Sequence, residues 1–410
     1  MGILGTEELK EGMILASDLR TLEGRTILEA GQSLTAQAIR TCTVWGVNEA
    51  DVIDAPTGKT DPNPPEEQQA IAEPYKKLTV HRFRLADTKH PAIRVLAHDF
   101  AEKVSKTISE EQAETLMVPY GQNHCEPLPG YQDMKRILRE NAELVSLPAV
   151  FHEITDALRN PCSSAAYVAE IISKDVALSA KLLRMVNTPF YGFPRKIDTL
   201  SRAVTIVGTN QLTSLALGIS VISSFNNIPE DLIRVQDFWL QSITCGSIAR
   251  LLAVRTGIPG DERFFVAALL HNVGRLLLLR NQPDMVRSVL EQAHACAMPL
   301  HELEKQCWGW DHCELGAALL KQWKLPVFIE HQVRHHHTPQ YAIRPEEAAV
   351  THVAEVASHA IIPAHNGAPY IPSLNPEAWD RLGISGNDLL DIINQANQQA
   401  KTVMAAFFNE

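Results

Sequence analysis

Phe264-Phe-Val-Ala-Ala-Leu-Leu-His-Asn-Val-Gly274 stays apolar from Phe264 to Leu270 and then delivers a histidine, an amide and a glycine. A run of this kind reads as a buried helix when the segments around it repeat with helical spacing, and here they do. Upstream, Leu212, Leu215, Ile219, Ile222 and Phe225 recur at i, i+3 and i+4, the pattern of a buried helix face. Leu178, Leu182, Leu183, Met185 and Val186 form an earlier stripe behind Asp175, a capping residue type. Asp198 or Thr199 opens a short helix that Gly208 stops. Downstream, breaks fall near Gly257, Pro283, Pro299, Pro326, Pro345 and Pro376, with helical patterning between them. Strand-like alternation is nearly absent after residue 128. Residues 128–410 therefore read as an all-helical domain with a C-terminal helical extension, and the fold class is mainly α.

The front of the chain reads differently. Residues 13–19 and 25–29 predict a hairpin about a turn at Thr21–Gly24. Thr35 caps a helix toward Trp45, Gly46 ends it, and Val47 to Ile53 predicts a further strand. Residues 1–55 are thus expected to form a small α+β domain. Residues 56–76 hold Pro56, Pro62, Pro64, Pro65 and Pro74 among acidic and amide residues, the composition of an extended linker. Residues 77–127 turn helical again, with Ile93, Leu96, Phe100, Val104 and Ile108 on one stripe, and read as a connector.

Composition narrows the functional classes. The formal charge of −11 comes without a basic block, which argues against nucleic acid as a partner. Leu212 to Phe225, the longest apolar stretch, is interrupted by hydroxyl residues and is shorter than the roughly 20 residues a bilayer span needs. Seven cysteines without a CxxC pair suggest reduced, mostly buried thiols in a reducing compartment. A cytoplasmic protein without membrane insertion is the expectation. No G-x-x-x-x-G-K-[ST] phosphate loop and no G-x-S-x-G elbow occurs.

The histidines carry the chemistry. His271-Asn272 ends the apolar run, His312 opens a later helix, His335-His336-His337 ends the next, and Glu355 lies on a helix after His352. Imidazoles spread over neighbouring helices suggest a metal cage inside a bundle. Cys307, His312 and Cys313 with His271 give a second candidate ligand set, weakened by the absence of CxxC spacing.

Leu270-His-Asn-Val-Gly274 resembles the HD signature of metal-dependent phosphohydrolases, usually apolar-His-Asp-apolar-Gly. Upstream, Leu147-Pro148, Ile172 to Asn187, Phe190-Tyr-Gly192, Ile197 to Ala203 and Val207-Gly208 resemble the opening of one branch, the HDOD domain. The resemblance covers about residues 140–340. It implies an all-helical HD-like bundle, and Glu11 to Asp18 with Ala30 to Thr35 resembles a small domain found ahead of HD-type signalling proteins.

The departures from the HD pattern bear on function. By that resemblance Gln241 stands where the first histidine ligand belongs, Asn272 where the aspartate does, and Glu355 where the last aspartate does, while His271, His312, His335 and His336 remain. An amide brings no charge to offset a divalent cation. The Gly-Tyr-Pro element of the cyclic-dinucleotide phosphodiesterase branch is absent after the paired histidines. The expectation is a non-catalytic signalling module with a decayed metal site: no catalytic residues, no cofactor, at most a weakly held divalent metal. It would act on a partner signalling protein or small ligand, and a homo-oligomer is compatible. The competing expectation is a divergent phosphohydrolase using His271, His312, His335, His336 and Glu355.

Overall fold

The computed structural model describes residues 2–5, 9–20, 26–53 (apart from 37, 40–41, 43–46 and 48), 71–117, 130–142 (apart from 131) and 147–408 (apart from 161–162, 194, 226–227, 230–231 and 362–369). In the front unit β1 (Gly2–Gly5) pairs with a strand at the far end of the unit, β2 (Leu19–Arg20) pairs antiparallel with β3 (Thr26–Leu28), and the far strand is β4 (Glu49–Val52). The expected hairpin thus narrows to two short strands, while Ile14 and Leu15 make only single bridges, to Ser33 and Val52. The Thr35 hydroxyl accepts from the Ala38 amide at 3.1 Å, the expected cap. β1 had no sequence signal, because a short Gly-Ile-Leu-Gly segment shows no alternation to read. Leu9, Leu15, Leu19, Leu34, Cys42 and Val52 fill this unit's own core. Most of the expected linker at 56–76, the turn at 21–24 and the helix stop at Gly46 lie outside the described residues.

The rest is helical: α1 (Glu73–Arg82), α2 (Pro91–Thr107), α3 (Glu110–Thr115), α4 (Met134–Ala142), α5 (Ala149–Arg159), α6 (Ala165–Ser173), α7 (Val176–Val186), α8 (Leu200–Val207), α9 (Thr209–Ser224), α10 (Val235–Thr256), α11 (Asp261–Leu269), α12 (Val273–Asn281), α13 (Pro283–Cys296), α14 (Leu300–Trp308), α15 (His312–Gln322), α16 (Val327–His335), α17 (Pro345–Ile361), α18 (Pro376–Leu382) and α19 (Gly386–Phe408). Their ends follow the local chemistry. Asp175 caps α7 by accepting from the Leu178 amide at 2.9 Å, and Thr199 caps α8 through the Arg202 amide. Gly208 at φ 102° separates α8 from α9, a conformation that an L side chain resists. Proline stands at the first positions of α13, α17 and α18, where its missing N–H costs no helix bond. Among the described residues no single helix is long and apolar enough to cross a membrane.

The bundle has two cores. One gathers the apolar faces of α5 to α9 with α12, α15 and α16. The other joins α10, α17, α18 and the front of α19 to Tyr75, Leu78, Ile93, Leu96, Phe100 and Val104 of α1 and α2. The helical stretch read as a connector is therefore packed into the bundle: the stripe that marks it as helical is the face it buries. α10 runs through the centre, packed on α11, α17 and α19.

One close approach positions the site. α12 crosses α15 at Gly274 and Gly316, where a Cβ on Gly274 would lie 2.1 Å from the His312 carbonyl oxygen. Only glycine permits this contact. It brings the His271–Asn272 turn, just before α12, beside the first turn of α15.

Candidate functional site

Four segments bring polar side chains to one buried place. The turn between α11 and α12 supplies His271 and Asn272, the start of α15 supplies His312 and Cys313, the end of α16 supplies His336 and His337, and the middle of α17 supplies Glu355 and His359. The rings interlock: His271 lies 5.1 Å from His336, His312 5.2 Å from His337, and His336 4.2 Å from His337, centroid to centroid. His301, from α14, stacks on His337 at 4.1 Å.

Hydrogen bonds set which nitrogen of each ring carries the proton. His271 Nδ1 lies 2.5 Å from the Ala268 carbonyl oxygen, which can only accept. Nδ1 therefore carries the proton and Nε2 is a lone pair. That lone pair lies 2.7 Å from Asn272 Nδ2, so the amide donates to it. His336 repeats the arrangement: Nδ1 donates to the Val333 carbonyl at 2.7 Å, and Nε2 stands 3.7 Å from Cys313 Sγ. His312 Nδ1 donates to Glu304 Oε2 at 2.6 Å, and the same oxygen accepts the His312 backbone amide at 2.8 Å. His312 Nε2 is buried without a hydrogen-bond partner, as are Asn272 Oδ1 and Glu355 Oε2.

Glu355 sits at the centre. Its carboxyl oxygens lie 3.3 Å from His337 Nδ1 and 3.9 Å from the Nε2 atoms of His271, His336 and His359. Burial holds its carboxyl well above the usual carboxylate range, opposed by the Arg275 guanidinium. Burial likewise pushes His271 down to about 3, and His336, His337 and His359 well below the usual imidazole range. The Cys313 thiol is raised well above its ordinary value by burial and then by Asp311, Glu304 and Glu355. Burial thus favours the uncharged forms of Glu355, His271, His336, His337 and His359. The cavity it borders, lined among others by Asn272, Arg275, His312, His337, Glu355 and His359, is about 50 Å³. That volume suits a few water molecules or one ion.

The structure brings together His271, Asn272, His312, His336 and Glu355 of the sequence-derived set. His335 stays apart: it ends α16 half-buried and pairs with His331, ring centroids 6.3 Å apart. His337 takes its place, because α16 stops at His335 and the next two residues turn inward. Gln241 is buried on α10 and does not line the cavity. Sequence reading missed Glu304, His301 and His359. Only His359 had a usable signal, lying one turn beyond Glu355 on α17. His352 is structural, its ring bridging the His336 carbonyl at 2.7 Å and the Asn375 amide at 2.9 Å.

A family model described as the HDOD domain matches residues 144–339. These residues form an HDOD domain. An uncharacterized protein of Treponema pallidum (strain Nichols) is 30% identical to the chain over 208 residues, which is 50% of this chain and 39% of that relative, so the chain spans well under half of it. A crystal structure from Shewanella amazonensis SB2B, of a candidate phosphohydrolase, matches with 24% identity and a TM-score of 0.52, covering 65% of this chain and 97% of the other. An HDOD domain protein of unknown function from Geobacter sulfurreducens matches with 21% identity and a TM-score of 0.50, covering 67% of this chain and 100% of the other. At these identities the two structures establish the all-helical HD-like fold.

The two-ion hydrolytic centre of the HD type does not fit the residues of this HDOD domain. The lone pair of His271 is taken by Asn272, and the amide offers no anionic oxygen to bridge two cations. A smaller group remains: ligand atoms of His312, Cys313, His336 and His337 all lie within 4.8 Å of one another and could hold a metal ion.

Proposed function

We propose that the HDOD domain is a non-catalytic regulatory module that works by binding a partner signalling protein. The observation that carries this reading is the hydrogen bond from Asn272 to His271. A phosphohydrolase of the HD type needs that imidazole as a ligand and a carboxylate beside it, so that the cations can acidify water and hold phosphoryl oxygens. Here the amide of Asn272 occupies the lone pair of His271. With a net charge of −11, a protein partner is favoured over nucleic acid. The front α+β unit, joined through the proline-rich acidic stretch at 56–76, would then present the module to its partner or receive the signal.

The opposing reading, a divergent phosphohydrolase, draws on the convergence of His312, His337 and Glu355 around one cavity, with His336 close to His312 and His337. The test is turnover of a panel of nucleotides, cyclic dinucleotides and phosphomonoesters by the full chain with manganese or iron. The binding reading predicts none above background. Turnover that His271→Ala abolishes rejects it.

A further inference from the structure

Part of the cavity wall comes from two segments outside residues 144–339, the stretch that matches the family. The turn after α1 contributes Leu85, and the segment 370–373 contributes Tyr370 and Pro372. The two segments are tied to each other. The Ile371 amide donates to the Arg82 carbonyl at 2.8 Å, and the Ser373 hydroxyl donates to the Leu85 carbonyl at 2.6 Å. Joined in this way they make a strap across one side of the cavity, with His312, His337 and Glu355 on its other walls.

Polar contacts fasten the strap to the bundle. The buried Arg82 guanidinium donates from Nη2 to the His359 carbonyl at 3.0 Å, one turn beyond Glu355 on α17. The Tyr370 hydroxyl donates to the His294 carbonyl on α13 at 3.0 Å. The His81 ring stands 5.3 Å from the Tyr370 ring and 5.6 Å from that of His294. The body of α1 packs mainly on α2 and α3, its neighbours in the chain. A hydrogen bond exchanged with water contributes little net stability, so a contact held by a few of them opens more readily than a packed core. We infer that the strap is a movable closure of the polar cavity: it lifts from α13 and α17 while the bundle stays folded, and its position sets access to the histidine cluster. The inference goes beyond the binding role proposed above, because access can be controlled whether or not the cavity supports turnover.

The test uses the full chain and two readouts: native-state hydrogen exchange resolved to single amides, and acylation of His312 by diethyl pyrocarbonate, followed by mass spectrometry. The Ile371 amide, whose bond to Arg82 joins the strap, is expected to exchange about 100-fold faster than the slowest amides of α10. Tyr370→Phe removes the bond to α13 and should speed Ile371 exchange and His312 acylation together, about fivefold each. Ile154→Val, in the core on α5, lowers global stability without touching the strap. It should speed the α10 amides and leave Ile371 and His312 unchanged. Ile371 exchange that matches the α10 amides in the unsubstituted chain would show that the strap opens only when the whole bundle unfolds, and would overturn the inference. So would a Tyr370→Phe chain in which Ile371 exchange rises while His312 acylation does not. The comparison of Ile371 with α10 needs no substitution and so stands even if a variant fails to fold.

Discussion

The side-chain amide of Asn272 donates to Nε2 of its neighbour His271 across 2.7 Å, so the two residues that carry the HD-like signature are bonded to each other. A carboxylate in place of the amide has no N–H to offer, and two acceptors would then face one another in a buried site. Asn272→Asp is therefore expected to destabilise the chelator-treated protein by about 1–3 kcal/mol, the range for a buried polar group left without its partner. Urea denaturation measures this, and an unchanged midpoint would contradict the bond's role.

Gly274 and Gly316 set the distance between α12 and α15. The atoms that a Cβ on Gly274 would meet are the backbone of His312 and Gly316, which cannot swing aside as a flexible side chain would. Gly274→Ala should cost about 3 kcal/mol or more through overpacking and displacement of the His312 turn. Equilibrium unfolding checks it, and Gly383→Ala, where a Cβ meets nothing within 4 Å, serves as a control for backbone strain alone.

His352 gives the fold a pH dependence. Burial pushes it down to about 4, opposed by its bond to the His336 carbonyl, from an ordinary value of 6.5. The unfolded chain takes up this proton as the pH falls below 6.5, while the folded chain does not until about 4. The stabilisation is therefore complete above 6.5 and is lost as the pH falls toward 4, about 3 kcal/mol from this residue alone. Thermal unfolding in chelator between pH 7 and pH 4 should show the loss, and His352→Gln should flatten part of the slope. A slope identical in the variant would assign the effect elsewhere.

Helix ends were readable because their signals are local: Asp175, Thr199, Gly208 and the helix-opening prolines act on their own turn of backbone. The HD-like signature at His271–Asn272 was legible for the same reason. What sequence could not decide is which two of three consecutive histidines face inward, since that depends on where α16 stops winding. Glu304 was unreadable because nothing in its own helix marks it. It matters only through His312, 8 residues on, which meets it when α14 and α15 fold together. The packed role of α1 and α2 was hidden likewise, because a buried stripe does not name its partner helix.

The most direct measurement is a manganese titration of the full chain followed by electron paramagnetic resonance. With His271 capped by Asn272, the proposed binding role predicts only isolated manganese signals, with no spin-coupled pair. A coupled two-manganese spectrum, lost in His271→Ala, would contradict the central claim.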